Sequence, residues 1–226
     1  MAAFRLFWDY MSEQVDRIRR VVGVLDALGV KYALIGGHAV SYHWRPRVTV
    51  DVDFLVPAKS LARIQAALPA AGFIVEQRGE LLRAWELGAD PTKDEPVVDL
   101  VPTEFNETQR EVVRTAIDVS YQGVALHMAG RAALVALKFL SAISMTRQQL
   151  DKMQDVTDLG HVVRQSWTPK HMAEARRLVE RSYPAGGDEL EKLIDDIQNG
   201  RPITICATAS CSSRRRPRAG PSRHTP

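Results

Sequence analysis

A change in the spacing of apolar residues part-way along the chain is the strongest constraint on its fold. Before about residue 128, short apolar runs alternate with glycine, proline and polar segments, which predicts strands interleaved with helices. From Arg131 onward, apolar residues recur every three to four positions. We therefore predict an α/β part followed by a helical part. The helices predicted in the second part are at about 131–144, 147–165, 169–182 and 187–199.

The first part opens with a predicted helix from about Trp8 to Leu28, with apolar residues at helical spacing and Gly29 at its end. The other elements are predicted, in chain order, as strand 31–35, helix 38–43, strand 47–56, helix 59–71, strands 73–76, 81–87 and 96–101, helix 106–116 and a hairpin at 117–127. These elements divide the chain into an α/β core with its N-terminal helix at 1–128, a helical region at 129–200 and a basic tail at 201–226.

Composition is that of a soluble globular protein, with 45% hydrophobic and 25% charged residues. The longest apolar stretches, such as Ala132–Leu140, fall short of the roughly 20 residues that a membrane-spanning helix needs. The first ten residues include Arg5 and Asp9 and do not resemble a signal peptide. We therefore expect a cytoplasmic protein that does not bind a membrane.

The formal net charge of +3 comes from the end of the chain. Six arginines and no acidic residue follow residue 200, and subtracting those six charges leaves −3 for residues 1–200. The folded part is thus mildly acidic, which argues against a basic nucleic-acid-binding face on it. The tail is predicted to be disordered, either as a solvated extension or as an arm that attracts RNA phosphates.

Residues 47–56 alternate between valine or phenylalanine and mostly polar side chains, which predicts a half-buried strand. Asp51 and Asp53 fall on the same face of that strand, about 6 to 7 Å apart at Cα. Paired carboxylates of this kind suit Mg²⁺ or Mn²⁺. Asp99 lies inside a separate apolar run, where a buried carboxylate is costly unless something binds it, and is the candidate third ligand. An acidic pair on a solvated strand face is the alternative interpretation.

Gly36 and Gly37 stand where a predicted strand enters a predicted helix. Without side chains at these positions, backbone N–H groups at a helix N-terminus can face a phosphate directly. A simple turn is the alternative for a glycine pair. His38 and His43 flank this segment at a spacing that is poor for two metal ligands, so we expect them to serve in packing or capping.

Taken together, Gly36-Gly37-His38-Ala39-Val40 and Arg47-Val48-Thr49-Val50-Asp51-Val52-Asp53 resemble the signature of the DNA-polymerase-β-type nucleotidyltransferase superfamily. Within it, the sequence is most similar to the AbiEii-like branch. The similarity continues through Asp99 to a helical part in which Lys138, Lys152, Asp155 and Asp158 match the pattern of that branch. It covers roughly residues 30–165.

The resemblance implies a mixed sheet flanked by helices, a C-terminal helical bundle, and transfer of NMP from an NTP to an acceptor hydroxyl on tRNA or protein. It implies a toxin with an antitoxin partner, and Mg²⁺ or Mn²⁺ held by Asp51, Asp53 and Asp99. The implied nucleotide-binding residues are Gly36, Gly37, Arg47, Thr49, Lys138, Asp155 and Asp158.

Two other functions fit the same residues. The glycine pair followed by the acids is also similar to lincosamide nucleotidyltransferases, whose acceptor is a small antibiotic. The second alternative is a catalytically inactive domain that binds a nucleotide or a partner protein. At the level of residues, Lys138 also fits a helix-surface lysine. Lys152, Asp155 and Asp158 also fit i,i+3 pairing on a helix surface.

Overall fold

The structure is a computed structural model and describes residues 2–44 and 48–203 of the 226-residue chain. Arg47 and the tail from residue 204 lie outside the described residues. The helices are α1 (Ala2–Ala27), α2 (Gly36–His43), α3 (Leu61–Ala67), α4 (Glu107–Arg114), α5 (Arg131–Ile143), α6 (Gln149–Val163), α7 (Pro169–Glu180) and α8 (Gly186–Gln198). The strands are β1 (Ala33–Leu34), β2 (Val52–Val56), β3 (Phe73–Arg78), β4 (Leu81–Glu86), β5 (Val98–Pro102), β6 (Ile117–Tyr121) and β7 (Val124–Met128).

Within the described ranges, these strands form one mixed sheet in the order β3-β4-β5-β2-β1-β7-β6. The pairs β2–β5 and β1–β7 are parallel, and the other neighbours are antiparallel. The central position of β2 follows from its composition, since Val52, Phe54, Leu55 and Val56 are all fully buried. The predicted mixed sheet with helices and a C-terminal helical region is confirmed.

One hydrophobic core runs from the sheet into the C-terminal helices. It includes Val21 of α1, Leu34 of β1, Leu134 of α5 and Ile194 of α8. The four predicted C-terminal helices all form, each within two residues of its predicted bounds. β7 ends at Met128 and α5 begins three residues later. The predicted division of the chain into domains at residue 128 remains a proposal.

The strand predicted at 47–56 begins only at Val52, and this prediction was wrong for its first half. The side chains of Val48 and Val50 are exposed, at 60% each, whereas Thr49 is buried. Pairing with the neighbouring strand explains the boundary. Val52 is the first residue of the segment with a partner on β5, Val98, and its N–H donates to the carbonyl of Val97 at 3.0 Å.

In the described part of the chain, no helix combines the length and the apolar composition needed to cross a membrane. The longest, α1, packs its buried face, which includes Ile18, Val21 and Leu25, into the core of the sheet.

Candidate active site

The parallel pairing of β2 with β5 brings two of the predicted carboxylates together. Asp53 and Asp99 are direct Cα partners in that pairing, so their side chains leave the same face of the sheet from adjacent strands, about 4.8 Å apart. Asp51 lies two residues before Asp53, just ahead of the strand. The hydroxyl of Thr49 donates a hydrogen bond to Oδ1 of Asp51 at 3.2 Å, which fixes the orientation of that carboxylate.

Gly36 forms the floor beneath Asp53. Its φ of +63° is in the left-handed region, and a Cβ built on it would lie 1.8 Å from Oδ2 of Asp53. A side chain is therefore excluded twice, by backbone conformation and by space. Because α2 begins at Gly36 and has no acidic residue in its first turn, the N–H groups of Gly36 and Gly37 provide a favourable environment for an anion.

A cavity of about 630 Å³ opens over this face of the sheet. The acidic residues that line it are Asp51, Asp53, Glu95, Asp99, Asp151 and Asp155, and the basic ones are Arg83, Lys138 and Arg147. With every group ionised, six acids and three bases give the lining a net charge of −3.

Burial and crowding of like charges perturb the buried acids. Burial is the largest cause that raises the pKa of Asp53, to about 7, with Asp51 and Asp99 adding to it and Lys138 and Arg147 opposing it. Burial also raises the pKa of Asp99, while Arg83 lowers it. Nε of Arg83 lies 3.4 Å from Oδ1 of Asp99, within ion-pair range but without hydrogen-bond geometry. That oxygen is thus a buried acceptor without a hydrogen bond among the described residues.

The donor chemistry of this cluster fits a hard divalent cation. Carboxylate oxygens are the ligands that Mg²⁺ takes in proteins, and the three carboxylates predicted to bind it, Asp51, Asp53 and Asp99, all line this cavity. The buried, unbonded Oδ1 of Asp99 is an oxygen that a cation would satisfy. The carboxylates do not already converge on one point, because no group of three His, Cys, Asp or Glu side chains among the described residues stands at metal-holding distance.

A buried ion-pair cluster lies where α5 meets α6. Nζ of Lys138 contacts Oδ1 of Asp155 at 2.9 Å and Oδ2 of Asp158 at 2.8 Å, and Nε of Arg147 contacts Oδ2 of Asp155 at 2.8 Å. The side chains of Asp155 and Asp158 are 2% and 0% exposed, so the alternative of surface i,i+3 pairing is wrong, as is a surface position for Lys138. Burial lowers the pKa of Lys138, but the two carboxylates outweigh it and the pKa is raised.

A sequence comparison with protein families identifies the family. Residues 21–204 match the family described as "Nucleotidyl transferase AbiEii toxin, Type IV TA system". The chain belongs to the AbiEii nucleotidyltransferase toxin family. The match extends from within α1 to beyond the end of α8, so it includes the sheet, the cavity and the ion-pair cluster formed by Lys138, Arg147, Asp155 and Asp158.

Three solved structures show a distant similarity to this AbiEii family member. An antigenic nucleotidyltransferase-like protein from Paracoccidioides brasiliensis has 16% identity and a TM-score of 0.47, with 80% of this chain and 93% of that one covered. The antibiotic-resistance factor ANT(2")-Ia, in complex with adenylyl-2"-tobramycin, has 17% identity, a TM-score of 0.44 and coverages of 83% and 98%. The lincosamide adenylyltransferase LnuA, bound to lincomycin, has 12% identity, a TM-score of 0.44 and coverages of 66% and 96%. A comparison with curated proteins finds no match.

Membership of the AbiEii family makes the protein a nucleotidyltransferase. The cavity collects most of the residues predicted for its site: Gly36, Gly37, Thr49, Asp51, Asp53, Asp99, Lys138 and Asp155. Asp158 lies behind Lys138 and is absent from the lining, while Arg47 lies outside the described residues. His38 and His43 are buried and bond to the Tyr121 hydroxyl and the Ala129 carbonyl, at 3.2 and 2.8 Å, so their predicted use in packing is confirmed.

Sequence reasoning missed Arg83 and Arg147, two of the three basic residues that line the cavity in the described part of the chain. Arg83 belongs to β4, where it is the Cα partner of Asp99, and that pairing was the signal that could have identified it. Arg147 comes from the short segment between α5 and α6, and nothing in its local sequence distinguishes it from a solvated arginine.

Proposed function

We propose that this protein transfers NMP from an NTP to an acceptor hydroxyl in a reaction that requires a divalent metal ion. The observation that carries the proposal is the shared register of Asp53 and Asp99 on adjacent parallel strands, directly beside Gly36 at the start of α2. That arrangement combines oxygen ligands for a cation with backbone N–H groups for a phosphate.

The charge of the cavity supports a requirement for metal. Its lining carries −3 with every group ionised, and a nucleoside triphosphate is itself a polyanion. Bringing the two together without added positive charge is strongly unfavourable in a partly buried site. A divalent cation that binds both the carboxylates and the phosphates removes this repulsion.

Asp51, Asp53 and Asp99 are the residues proposed to hold Mg²⁺ or Mn²⁺. When bound, such an ion would neutralise charge on the phosphates and lower the pKa of the attacking hydroxyl. The acceptor oxygen then forms a bond to the α-phosphorus, the bond to the bridging oxygen breaks, and pyrophosphate leaves while the hydroxyl proton is released. The N–H groups of Gly36 and Gly37 hold the triphosphate during this displacement.

The other proposed roles follow from contacts at the site. Thr49 orients Asp51 through its hydrogen bond, and Lys138 contributes positive charge toward the phosphates. Asp155 and Asp158 act through Lys138, which they hold at 2.9 and 2.8 Å. Arg47 precedes Val52, the first residue of β2, by five positions. It is proposed as a further phosphate-binding cation on sequence grounds alone.

The acceptor that we propose is a hydroxyl of tRNA or of a protein, and the partner is an antitoxin. The type IV toxin–antitoxin description of the family supports both a growth-limiting target and a cognate antitoxin. Since NTPs and tRNA are both cytoplasmic, we propose that the reaction takes place there.

Incubation with each radiolabelled NTP, Mg²⁺ and total RNA or cell extract tests the proposal. We expect label in one acceptor fraction with the wild-type chain, and at least a hundredfold less with Asp53→Asn, whose carboxylate lies at the centre of the site. Asp118→Asn is the matched control, because its carboxylate is 87% exposed on β6. Equal labelling by wild type and Asp53→Asn, or none with any NTP, contradicts the proposal. Antibiotic resistance rather than growth arrest on expression would favour a small-molecule acceptor.

A further inference from the structure

Among the described residues, three basic side chains line the cavity, and they differ in the contacts that they already make. Arg83 comes from β4, Lys138 from α5, and Arg147 from the segment between α5 and α6. A triphosphate requires cations that still have donors to offer. The contacts and exposure of each group therefore decide which of them binds phosphate directly.

Lys138 has little left to offer. Its ammonium group contacts two buried carboxylates, at 2.9 and 2.8 Å, and the side chain is only 12% exposed. Two of its three N–H donors are thus directed at Asp155 and Asp158. The one remaining donor and the low exposure leave Lys138 little capacity for a direct phosphate contact.

Arg147 has unused donors, and so has Arg83, whose side chain is 33% exposed and lies 3.4 Å from Asp99 without a hydrogen bond; their positions in the cavity therefore separate the two arginines. The Arg147 side chain is 43% exposed, and its hydrogen bond to Asp155 uses Nε alone, at 2.8 Å. The guanidinium group has five N–H donors, so four remain, arranged in the planar fork that matches phosphate oxygens. The hydrogen bond from Nε to Asp155 fixes the guanidinium group at the cavity wall and leaves the N–H groups of both terminal nitrogens available.

The cavity has two chemically different ends. Across the sheet, Arg83 on β4, Asp99 on β5 and Asp53 on β2 lie side by side in register, and Gly36 follows beside Asp53. Arg147 is bonded to Asp155 of α6, and both α5 and α6 pack against α2, the helix that begins at Gly36. Arg147 is therefore at the Gly36 end, and Arg83 is at the opposite end.

We propose that Arg147 binds the triphosphate directly, together with the N–H groups of Gly36 and Gly37, and that the Arg83–Asp99 end receives the acceptor. This inference rests on the proposed function, since it divides one cavity between the two substrates of nucleotidyl transfer. It assigns the direct phosphate contact to Arg147, and Lys138 acts on the phosphates through its charge and through the position of Asp155.

Titration calorimetry of the full chain with inorganic tripolyphosphate and Mg²⁺ tests the assignment without knowledge of the nucleotide. We expect Arg147→Gln to weaken binding roughly 10- to 100-fold, the range for loss of charge-assisted hydrogen bonds. Arg147→Lys keeps the charge but loses the planar set of N–H donors, so its affinity for tripolyphosphate should lie between those of Arg147→Gln and wild type. Arg83→Gln should bind tripolyphosphate within about twofold of wild type, because Arg83 belongs to the other end.

Arg110→Gln is the matched control, since Arg110 is 47% exposed and pairs with Glu107 on α4. Thermal unfolding of each variant separates lost binding from lost folding, and Arg147→Lys serves as the decisive variant if Arg147→Gln does not fold. The assignment is overturned if wild type binds tripolyphosphate and both Arg147 variants bind it equally well, an outcome that leaves the proposed function standing. If wild type binds neither tripolyphosphate nor any of the four NTPs with Mg²⁺, the proposed function fails together with it.

Discussion

Gly36 and Asp53 are in contact at the centre of the site, and this contact predicts a specific effect of a single methyl group. In Gly36→Ala the new Cβ would overlap Oδ2 of Asp53, so the carboxylate must move and nucleotidyl transfer should be lost. The left-handed φ adds a destabilisation of about 1 kcal/mol. Labelling assays and thermal unfolding measure the two effects.

Gly29→Ala is the control for that substitution. Gly29 has nearly the same φ, +62°, but nothing lies within 4 Å of an added Cβ. It should therefore show the destabilisation without the loss of activity. Equal activity of the two variants would contradict the role given to the contact between Gly36 and Asp53.

Lys138 is paired with two buried carboxylates, so its removal should strongly destabilise the fold. Lys138→Met leaves Asp155 and Asp158 buried without the ammonium group, and we expect a loss of roughly 3–5 kcal/mol of unfolding free energy. Urea denaturation measures it. Lys170→Met, on the exposed start of α7, should change stability by less than about 0.5 kcal/mol. A similarly small change in Lys138→Met would show that the cluster adds little to stability.

The individual site residues were predictable to different degrees. Asp51 and Asp53 share a short motif, and Asp99 was proposed as a ligand because a lone acid in an apolar strand needs a partner. Arg83 and Arg147 were missed because their positions depend on strand pairing and on helix packing. Neither is encoded in the local sequence.

At the scale of elements, the segment before β2 illustrates why strand boundaries are hard to predict. The alternation of residues 47–56 is clear, yet the strand begins at Val52, where β5 first offers a partner. A strand is stabilised by its neighbour, so its own periodicity predicts its type better than its start. The exposed Val48 and Val50 line the cavity instead of the core.

Helix α1 makes a hydrogen bond to the segment that precedes β2 and carries Asp51. Gln14 is fully buried, and its Nε2 donates to the carbonyl of Val50 at 3.2 Å, one residue before Asp51. We expect Gln14→Leu to lose about 0.5–1.5 kcal/mol of local stability. Hydrogen–deuterium exchange should then be faster for the amides of residues 49–52.

Gln198→Leu is a suitable comparison for Gln14→Leu. Gln198 also donates to a main-chain carbonyl, that of Val163, at 3.5 Å, but it does so at the end of α8. Its loss should leave the exchange of residues 49–52 unchanged. Unchanged exchange in both variants would mean that α1 does not restrain the segment that carries Asp51.

At the scale of the whole molecule, the helices were predictable and the order of the strands was not. A helix repeats its pattern within a few residues, so the four C-terminal helices can be located from sequence. The sheet order requires contacts between distant residues, such as the pairing of Leu34 with Met128. No local pattern contains that information.

The two halves of the molecule are joined by an ion-pair cluster that makes stability depend on pH. Glu111 of α4 is 6% exposed and lies 2.7 Å from Arg114, 3.1 Å from Arg177 and 3.6 Å from Arg181, the last two at the C-terminal end of α7. The hydrogen bond from Arg114 is the largest cause that lowers the pKa of Glu111, to about 2, and Arg177 and Arg181 add to it against the effect of burial.

A lowered pKa stabilises the folded state above the ordinary value of 4.5, and the contribution is lost as pH falls from there toward about 2. Glu111→Gln should therefore lose about 1–2 kcal/mol at pH 7, less than the full pKa shift implies, because the three arginines are 41–68% exposed. The difference from wild type in urea denaturation should shrink between pH 4.5 and pH 2. Glu80→Gln, exposed between β3 and β4, should show no such pH-dependent difference. A gap between Glu111→Gln and wild type that stays constant down to pH 2 would mean that packing, rather than ionisation of Glu111, joins α4 to α7.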